Sequence, residues 1–281
     1  MTAPGSPVAV VGAGTMGRGI AIAALRAGRD VTLVDIDGDV LDAARSYIGK
    51  QFDRHPAEAG SVTGRLDVSR QLGRVVRHVS VVVEAVPEIT DLKLDIFESL
   101  RTAPAEALLV SNTSTMSITA LADACGGSPR VVGMHFFNPA HRMPLVEVVV
   151  GDATSEQTRA EAVALARELG KDPVVVRDVP GFVTSRLGLL LGTEAMRMVQ
   201  EGVASAADID KAMRLGYGHP MGPLELADLV GLDARLNNLR SMHDRSGDER
   251  YRPPAVLEDL VARGRLGKKS GAGFFTYEAT P

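Results

Sequence analysis

His135 stands at the end of the run Val131-Val132-Gly133-Met134, and Glu147 lies twelve residues further on inside a second apolar run, Leu145-Val146-Glu147-Val148-Val149. An imidazole titrates near neutrality, and a neighbouring carboxylate fixes its tautomer and stabilises the imidazolium. Such a pair can accept a hydroxyl proton while hydride leaves the same carbon. The residues alone leave two readings open, because a histidine beside Phe136 and Phe137 can equally be a satisfied core side chain.

A second constellation bears on where the hydride would go. Val8 to Val11 leads straight into Gly12-Ala13-Gly14-Thr15-Met16-Gly17, and an apolar stretch from Ile20 to Leu25 follows, closed by Gly28. In the dinucleotide fingerprint the first glycine permits the tight turn and the second lets backbone approach a pyrophosphate. The third allows helix and strand to pack closely, and the unpaired amides at the helix start face the phosphates. Asp35, 18 positions beyond Gly17, ends the second apolar run. A carboxylate there accepts ribose hydroxyls and repels a 2′-phosphate, so the expected cofactor is NAD rather than NADP.

These residues need a scaffold. Short β-branched runs at Val31 to Asp35, Val79 to Val83, Leu108 to Val110 and Val174 to Val176 alternate with helical stretches as far as Asp178. This is the pattern of βαβ units, and runs without strict polar alternation suit strands covered on both faces. Thr154-Ser155-Glu156-Gln157 offers a capping box for a helix that Gly170 should end, before Lys171-Asp172-Pro173 turns into the next strand. After Pro180-Gly181 the spacing of apolar residues becomes helical, over Ser185 to Glu201 and Asp208 to Leu215. The expected fold is α/β, a Rossmann-type doubly wound, mainly parallel sheet over residues 1–180. A smaller all-helical domain over residues 181–281 follows, suited to dimerisation and substrate binding.

The bulk composition limits the alternatives. A chain of 281 residues with 23% charged residues and a net charge of −4 gives no electrostatic reason to expect nucleic acid or anionic lipid. No lysine or arginine precedes Arg18, and no apolar run approaches the ~20 residues that span a bilayer. A cytoplasmic protein without a membrane segment is therefore expected. The single cysteine, Cys125, cannot form an intramolecular disulfide, and the six histidines show no zinc spacing, so no metal is expected.

Several further segments complete a pattern: Ser111-Asn112-Thr113-Ser114, His135-Phe136-Phe137-Asn138-Pro139, Pro180-Gly181-Phe182-Val183, His219-Pro220-Met221-Gly222-Pro223-Leu224-Glu225 and Leu266-Gly267-Lys268-Lys269-Ser270-Gly271. Together with the glycine loop they resemble the 3-hydroxyacyl-CoA dehydrogenase family, which includes bacterial 3-hydroxybutyryl-CoA dehydrogenases, over almost the whole chain. The resemblance implies reversible, NAD-dependent oxidation of a short 3-hydroxyacyl thioester, with His135 as the base and Glu147 paired to it. Ser114 and Asn138 would bind the reacting hydroxyl or the thioester carbonyl. Glu88 and Lys93 would line the nicotinamide end of the cofactor, and Lys269 would close over it. On the residues alone, Ser114 can instead cap a helix starting near Ser117, and Glu88, Lys93 and Lys269 can be solvated surface charges. The two prolines and the glycine after His219 force a turn between helices, and His219 is read as structural. Partners implied are an acyl-CoA or acyl-carrier-protein thioester and a second copy of the chain.

Two places depart from the family pattern. Ser185 stands where an Asn is common, keeping a donor and an acceptor on a shorter arm, and it is included as a substrate contact. The basic helical hairpin between Ile48 and Val79 is shortened, with Pro56 and Gly60 interrupting its pattern. Lys50, Arg54, Arg65 and Arg70 remain there as candidate phosphate partners. That shortening keeps open the same chemistry on a carrier-protein thioester or a free hydroxy acid, and Ser185 in place of Asn keeps open a non-catalytic NAD-binding protein.

Overall fold

Eight short, mostly apolar runs form one sheet, and the computed structural model describes residues 5–54 and 65–278 of the chain. Pro56 and Gly60 lie outside the described residues. The strands are β1 (Val8–Val11), β2 (Val31–Val34), β3 (Leu66–Ser69), β4 (Val81–Glu84), β5 (Leu108–Ser111), β6 (Val131–Phe136), β7 (Leu145–Val150) and β8 (Asp172–Arg177). Their order is β3-β2-β1-β4-β5-β6-β7-β8. Strands β1 to β6 are mutually parallel, and the order reverses between β1 and β4, which opens a crevice at their carboxyl ends.

Alternate residues of the central strands feed two cores. Val8, Val10, Val81 and Val83 pack with Ile20 to Leu25 of α1 (Thr15–Arg26) and with Leu41 and Ile48 of α2 (Gly38–Asp53). Ala9, Val11 and Val82 pack on the opposite face with Ile96 and Phe97 of α4 (Thr90–Ser99) and Leu121 of α5 (Ile118–Ala124). The single turn α3 (Leu72–Val75) precedes β4. Helices on both faces explain why these strands carry continuous valine and leucine.

The last two strands run the other way. β7 is antiparallel to β6, because residues 137–144 are too few for the dozen or more that a parallel crossover needs. Helix α6 (Glu156–Glu168) then supplies such a crossover, and β8 lies parallel to β7. β8 is an edge strand with Val174 and Val175 exposed, so the expectation of cover on both faces does not hold for it. The cap of α6 also lies one residue later than the Thr154 to Gln157 box: Ser155 caps it, accepting from the Thr158 amide at 3.1 Å. The Thr154 hydroxyl is engaged elsewhere, donating to Val131 O at 2.7 Å.

The chain divides into two compact units, Met1–Phe182 and Val183–Pro281. The second is built from α7 (Thr184–Gln200), α8 (Ala206–Tyr217), α9 (Pro223–Val230), α10 (Leu232–Ser246) and α11 (Ala255–Ala262) around Leu189, Met196, Leu224, Leu236 and Leu257. Buried Asp210 receives the Leu224 and Glu225 amides at 2.9 and 2.8 Å, capping α9 from a distance. A Cβ on Gly222 would lie 2.2 Å from that carboxyl carbon, which accounts for glycine in the turn after His219.

Candidate active site

The glycine loop follows β1 directly, and its three glycines have different reasons. Gly12 has φ +97°, and a Cβ there would stand 2.7 Å from Ala85 O. A Cβ on Gly17 would stand 1.8 Å from Gly12 O, so helix and strand could not pack. At Gly14 a Cβ would meet no protein atom within 4 Å, and α1 starts there without a side-chain cap. The fold has no need of glycine at that point, whereas a phosphate resting on the helix start does. Thr15 is exposed and Met16 half-buried on the first turn, whereas the Ala13 amide is already donated to Asp35 Oδ2 at 2.8 Å. Asp35 follows β2 and also accepts the Asp37 amide at 3.1 Å, which ties the acidic residue to the loop. These residues fit a dinucleotide.

His135 is the penultimate residue of β6, and Glu147 is its directly opposed partner on β7. Nδ1 and Oε2 are 2.8 Å apart, with His135 8% and Glu147 0% exposed. Phe137 and Phe182 flank the imidazole, their ring centroids 4.6 and 5.9 Å from its own. Phe182 takes a left-handed φ of +49° after Gly181, a conformation that a bulky side chain adopts only where its surroundings require it. The Asn112 side chain accepts the Phe136 amide at 3.0 Å and so ties β6 to the segment after β5.

That segment carries Ser114, and Ser114 is not a helix cap. Ser117 caps α5, while the Ser114 amide donates to Glu88 Oε1 at 2.9 Å. Glu88 also receives the Thr115 amide at 3.1 Å and the Thr113 hydroxyl. Lys93 is buried at 1% exposure and bonds Glu84 at 2.7 Å and Glu88 at 3.1 Å, so neither Lys93 nor Glu88 is a simple solvated surface charge. Burial acts to raise the Glu88 carboxyl, but the Lys93 ammonium and the Thr113 and Ser114 donors outweigh it and hold the group below the ordinary glutamate value.

Asn138 is exposed three residues beyond His135 and joined to Pro139 by a cis peptide bond. Ser185 and Lys269 belong to the second unit. Ser185 is half-buried on the first turn of α7; Lys269 is paired with Asp233 at 2.6 Å, and that hydrogen bond lowers the Asp233 carboxyl. Of the four basic residues expected in a hairpin, Lys50 and Arg54 are exposed at the end of α2, while Arg65 and Arg70 flank strand β3, Arg65 bonding Gly28 O and Arg70 donating to Ile36 O at 2.9 Å. Sequence reasoning missed Glu84, Asn112 and Phe182. Glu84 carried a signal, an acid closing the buried run Val81-Val82-Val83, whereas the other two become visible only through their contacts.

The glycine loop, Asp35 and the buried His135 pair therefore share the carboxyl edge of one Rossmann-like sheet. The sequence matches the model of the 3-hydroxyacyl-CoA dehydrogenase NAD binding domain over residues 7–179 and that of the 3-hydroxyacyl-CoA dehydrogenase C-terminal domain over residues 181–277. The chain belongs to the 3-hydroxyacyl-CoA dehydrogenase family. It is 43% identical over 279 residues to a probable 3-hydroxybutyryl-CoA dehydrogenase of Bacillus subtilis, covering 96% of this chain and 97% of the relative. A probable 3-hydroxybutyryl-CoA dehydrogenase of Deinococcus radiodurans is 41% identical, with 95% and 99% covered. The crystal structure of (S)-3-hydroxybutyryl-CoA dehydrogenase from Ralstonia eutropha superposes with a TM-score of 0.93 at 37% identity, covering 98% of this chain and 99% of that one. The protein is thus an NAD-dependent 3-hydroxyacyl-CoA dehydrogenase of this family. Among the described residues, no group of three or more His, Cys, Asp or Glu side chains could hold a metal ion, and no helix is long and apolar enough to cross a membrane.

Proposed function

We propose that this dehydrogenase interconverts a short-chain 3-hydroxyacyl-CoA, of the 3-hydroxybutyryl-CoA kind, and its 3-oxoacyl thioester. The observation that carries the reading is the buried His135–Glu147 pair at 2.8 Å on the edge that also bears the glycine loop. With Nδ1 turned to Glu147, Nε2 is the nitrogen that takes the substrate's 3-hydroxyl proton. Glu147 holds the neutral tautomer with Nε2 unprotonated and balances the charge once the ring is protonated. NAD, when bound, supplies the acceptor for the hydride that leaves C3. Ser114 and Asn138 donate to the hydroxyl oxygen or thioester carbonyl as charge develops. Glu88 and Lys93 line the nicotinamide end of the site, and Ser185 is assigned to the acyl group and Lys269 to the cofactor. In the reverse direction the His135 imidazolium returns its proton to the 3-oxo oxygen.

The same reading takes the active species to be a homodimer. Leu187, Leu215 and Tyr217 of the helical unit are 63%, 77% and 78% exposed, large side chains that a second copy would take out of water.

The test is NADH oxidation with 3-oxoacyl-CoAs from C4 to C10, run beside the same acyl groups on pantetheine and on a carrier protein. Acetoacetyl-CoA should be a good substrate, and equal rates without the CoA nucleotide would instead favour a carrier-borne acyl group. His135→Ala should lose at least ~100-fold in kcat, the low end for loss of a general base, while still binding NADH. Near-normal turnover in that variant would remove His135 from the mechanism. NADH binding by the unmodified protein without oxidation across the whole panel would overturn the catalytic reading.

A further inference from the structure

Glu84 occupies a junction. It closes β4, in register with Val11 of β1 on one side and with Ser111 of β5 on the other. The residue before the glycine loop and the residue opening the Asn112 to Ser114 segment are therefore both its neighbours. Its carboxylate is fully buried and takes three donors: Lys93 Nζ at 2.7 Å, Ser111 Oγ at 2.6 Å and the Val86 amide at 2.8 Å.

Lys93 is shared. The same ammonium lies 3.1 Å from Glu88, and Glu88 in turn receives the amides of Ser114 and Thr115 at 2.9 and 3.1 Å and the Thr113 hydroxyl. A chain of charge thus runs from the end of a central strand through Lys93 and Glu88 to the backbone of the Ser114 loop. The two carboxylates differ in solvent access, because the Glu84 side chain is sealed and that of Glu88 is 35% accessible. Of the two, Glu84 is the one that can keep the ammonium inside. Without that fixed counter-charge, Lys93 is free to follow Glu88 toward water, where a solvated pair is only weakly held. The Ser114 and Thr115 part of the loop would then lose its tie through Glu88.

We propose that Glu84 is a positioning residue that acts through Lys93 and Glu88 to hold Ser114 in place. This rests on the reading of Ser114 as a substrate contact. Glu84 itself touches neither substrate nor cofactor in the scheme. Its effect on turnover is the preorganisation of a donor that must be in place before charge develops on the substrate.

The test compares Glu84→Gln with Ser111→Ala in the full-length protein. Glutamine keeps the size and an acceptor oxygen but loses the charge that retains Lys93. Alanine at 111 removes the other side-chain partner of Glu84 and leaves the charge chain intact; it also removes the acceptor of the Thr113 amide at 3.2 Å, so exchange is read at Ser114 and Thr115, whose amides bond Glu88. Glu84→Gln should speed amide hydrogen exchange at Ser114 and Thr115 about 10-fold and lower kcat with acetoacetyl-CoA about 10-fold, a change equivalent to 1.4 kcal/mol. Ser111→Ala should do neither. Unchanged exchange in Glu84→Gln, or the same loosening in Ser111→Ala, overturns the proposal.

If Glu84→Gln alone does not fold, Glu84→Gln combined with Lys93→Met removes both buried charges and should restore a folded chain. Faster exchange at Ser114 and Thr115 is expected there too, and native rates would count against the role. Exchange is read without substrate or cofactor. A wild-type protein lacking dehydrogenase activity would therefore sink the functional reading separately.

Discussion

His135 and Glu147 are directly opposed across the antiparallel ladder of β6 and β7, and their side chains meet at 2.8 Å. The register of a hairpin fixes this pairing, so Glu147 is held against His135 by backbone hydrogen bonds rather than by a loop. Glu147→Gln retains an oxygen that can accept from Nδ1 but has no charge to balance an imidazolium. Steady-state kinetics should show kcat lowered by roughly 10- to 100-fold, with NADH affinity from fluorescence titration unchanged. A variant as fast as wild type would mean that the carboxylate serves only the fold.

Two substitutions in the glycine loop should separate folding from cofactor binding. A methyl group at Gly17 has nowhere to go, since it would stand 1.8 Å from Gly12 O, and Gly17→Ala should be strongly destabilised or insoluble. Gly14→Ala meets no protein atom within 4 Å and should melt near wild type. Its NADH dissociation constant should nevertheless rise by about 10-fold or more, because the methyl group takes space needed by the pyrophosphate. Equal NADH affinity in Gly14→Ala would remove the phosphates from that point of the loop.

Asp35 accepts the Ala13 amide at 2.8 Å, and in the proposed site its charge is the one that the ribose would meet. Asp35→Asn keeps an acceptor for Ala13 and removes the negative charge. The ratio of kcat/KM for NADH over NADPH should fall by about 10-fold or more, equivalent to at least 1.4 kcal/mol of discrimination, with little loss of thermal stability. An unchanged ratio would assign cofactor choice to other residues.

Glu88 makes stability depend on pH in a known direction. Its carboxyl is held below the ordinary value of 4.5, the Lys93 charge and the Thr113 and Ser114 donors prevailing over the larger single effect of burial. A depressed folded pKa contributes stability that is fully present above the unfolded value and is lost as pH falls through the folded one. Melting temperatures measured from about pH 5.5 down to about 3.5 should decline more steeply for wild type than for Glu88→Gln. Parallel curves would show that the charge of Glu88 does not matter to the fold.

In the helical unit Asp228 is fully buried and receives the Phe274 and Phe275 amides at 3.0 and 2.9 Å and the Tyr277 hydroxyl at 3.0 Å. Desolvation and the Asp228 carboxylate push the Tyr277 phenol up, so it remains a donor through neutral pH. Asp228→Asn turns an NH2 group toward a backbone donor and should cost at least about 2 kcal/mol in denaturant unfolding. Tyr277→Phe should cost about 1 kcal/mol. Loss of the same amount in both would place the importance of Asp228 in its bond to the phenol alone.

By itself the sequence determined the parts whose physics is local. Valine-rich runs alternating with helices specified a doubly wound sheet, and the glycine loop was legible because φ, close packing and helix capping act within a few residues. The change to helical spacing after Gly181 marked the helical part for the same reason. Only tertiary structure decided what depends on contacts between distant segments. The separation of His135 and Glu147 by twelve positions offered a partner, but a slip of one residue would have turned Glu147 to the other face of the sheet. Glu84 went unremarked, and Glu88 and Lys93 were expected at the nicotinamide end or on the surface, until the fold made the three one another's counter-charges. Lys269 was expected to close over the cofactor or to be a solvated surface charge, and the fold gives it Asp233, 36 residues away. Periodicity registers which residues are buried, whereas the pairing of charges depends on which strands and loops become neighbours.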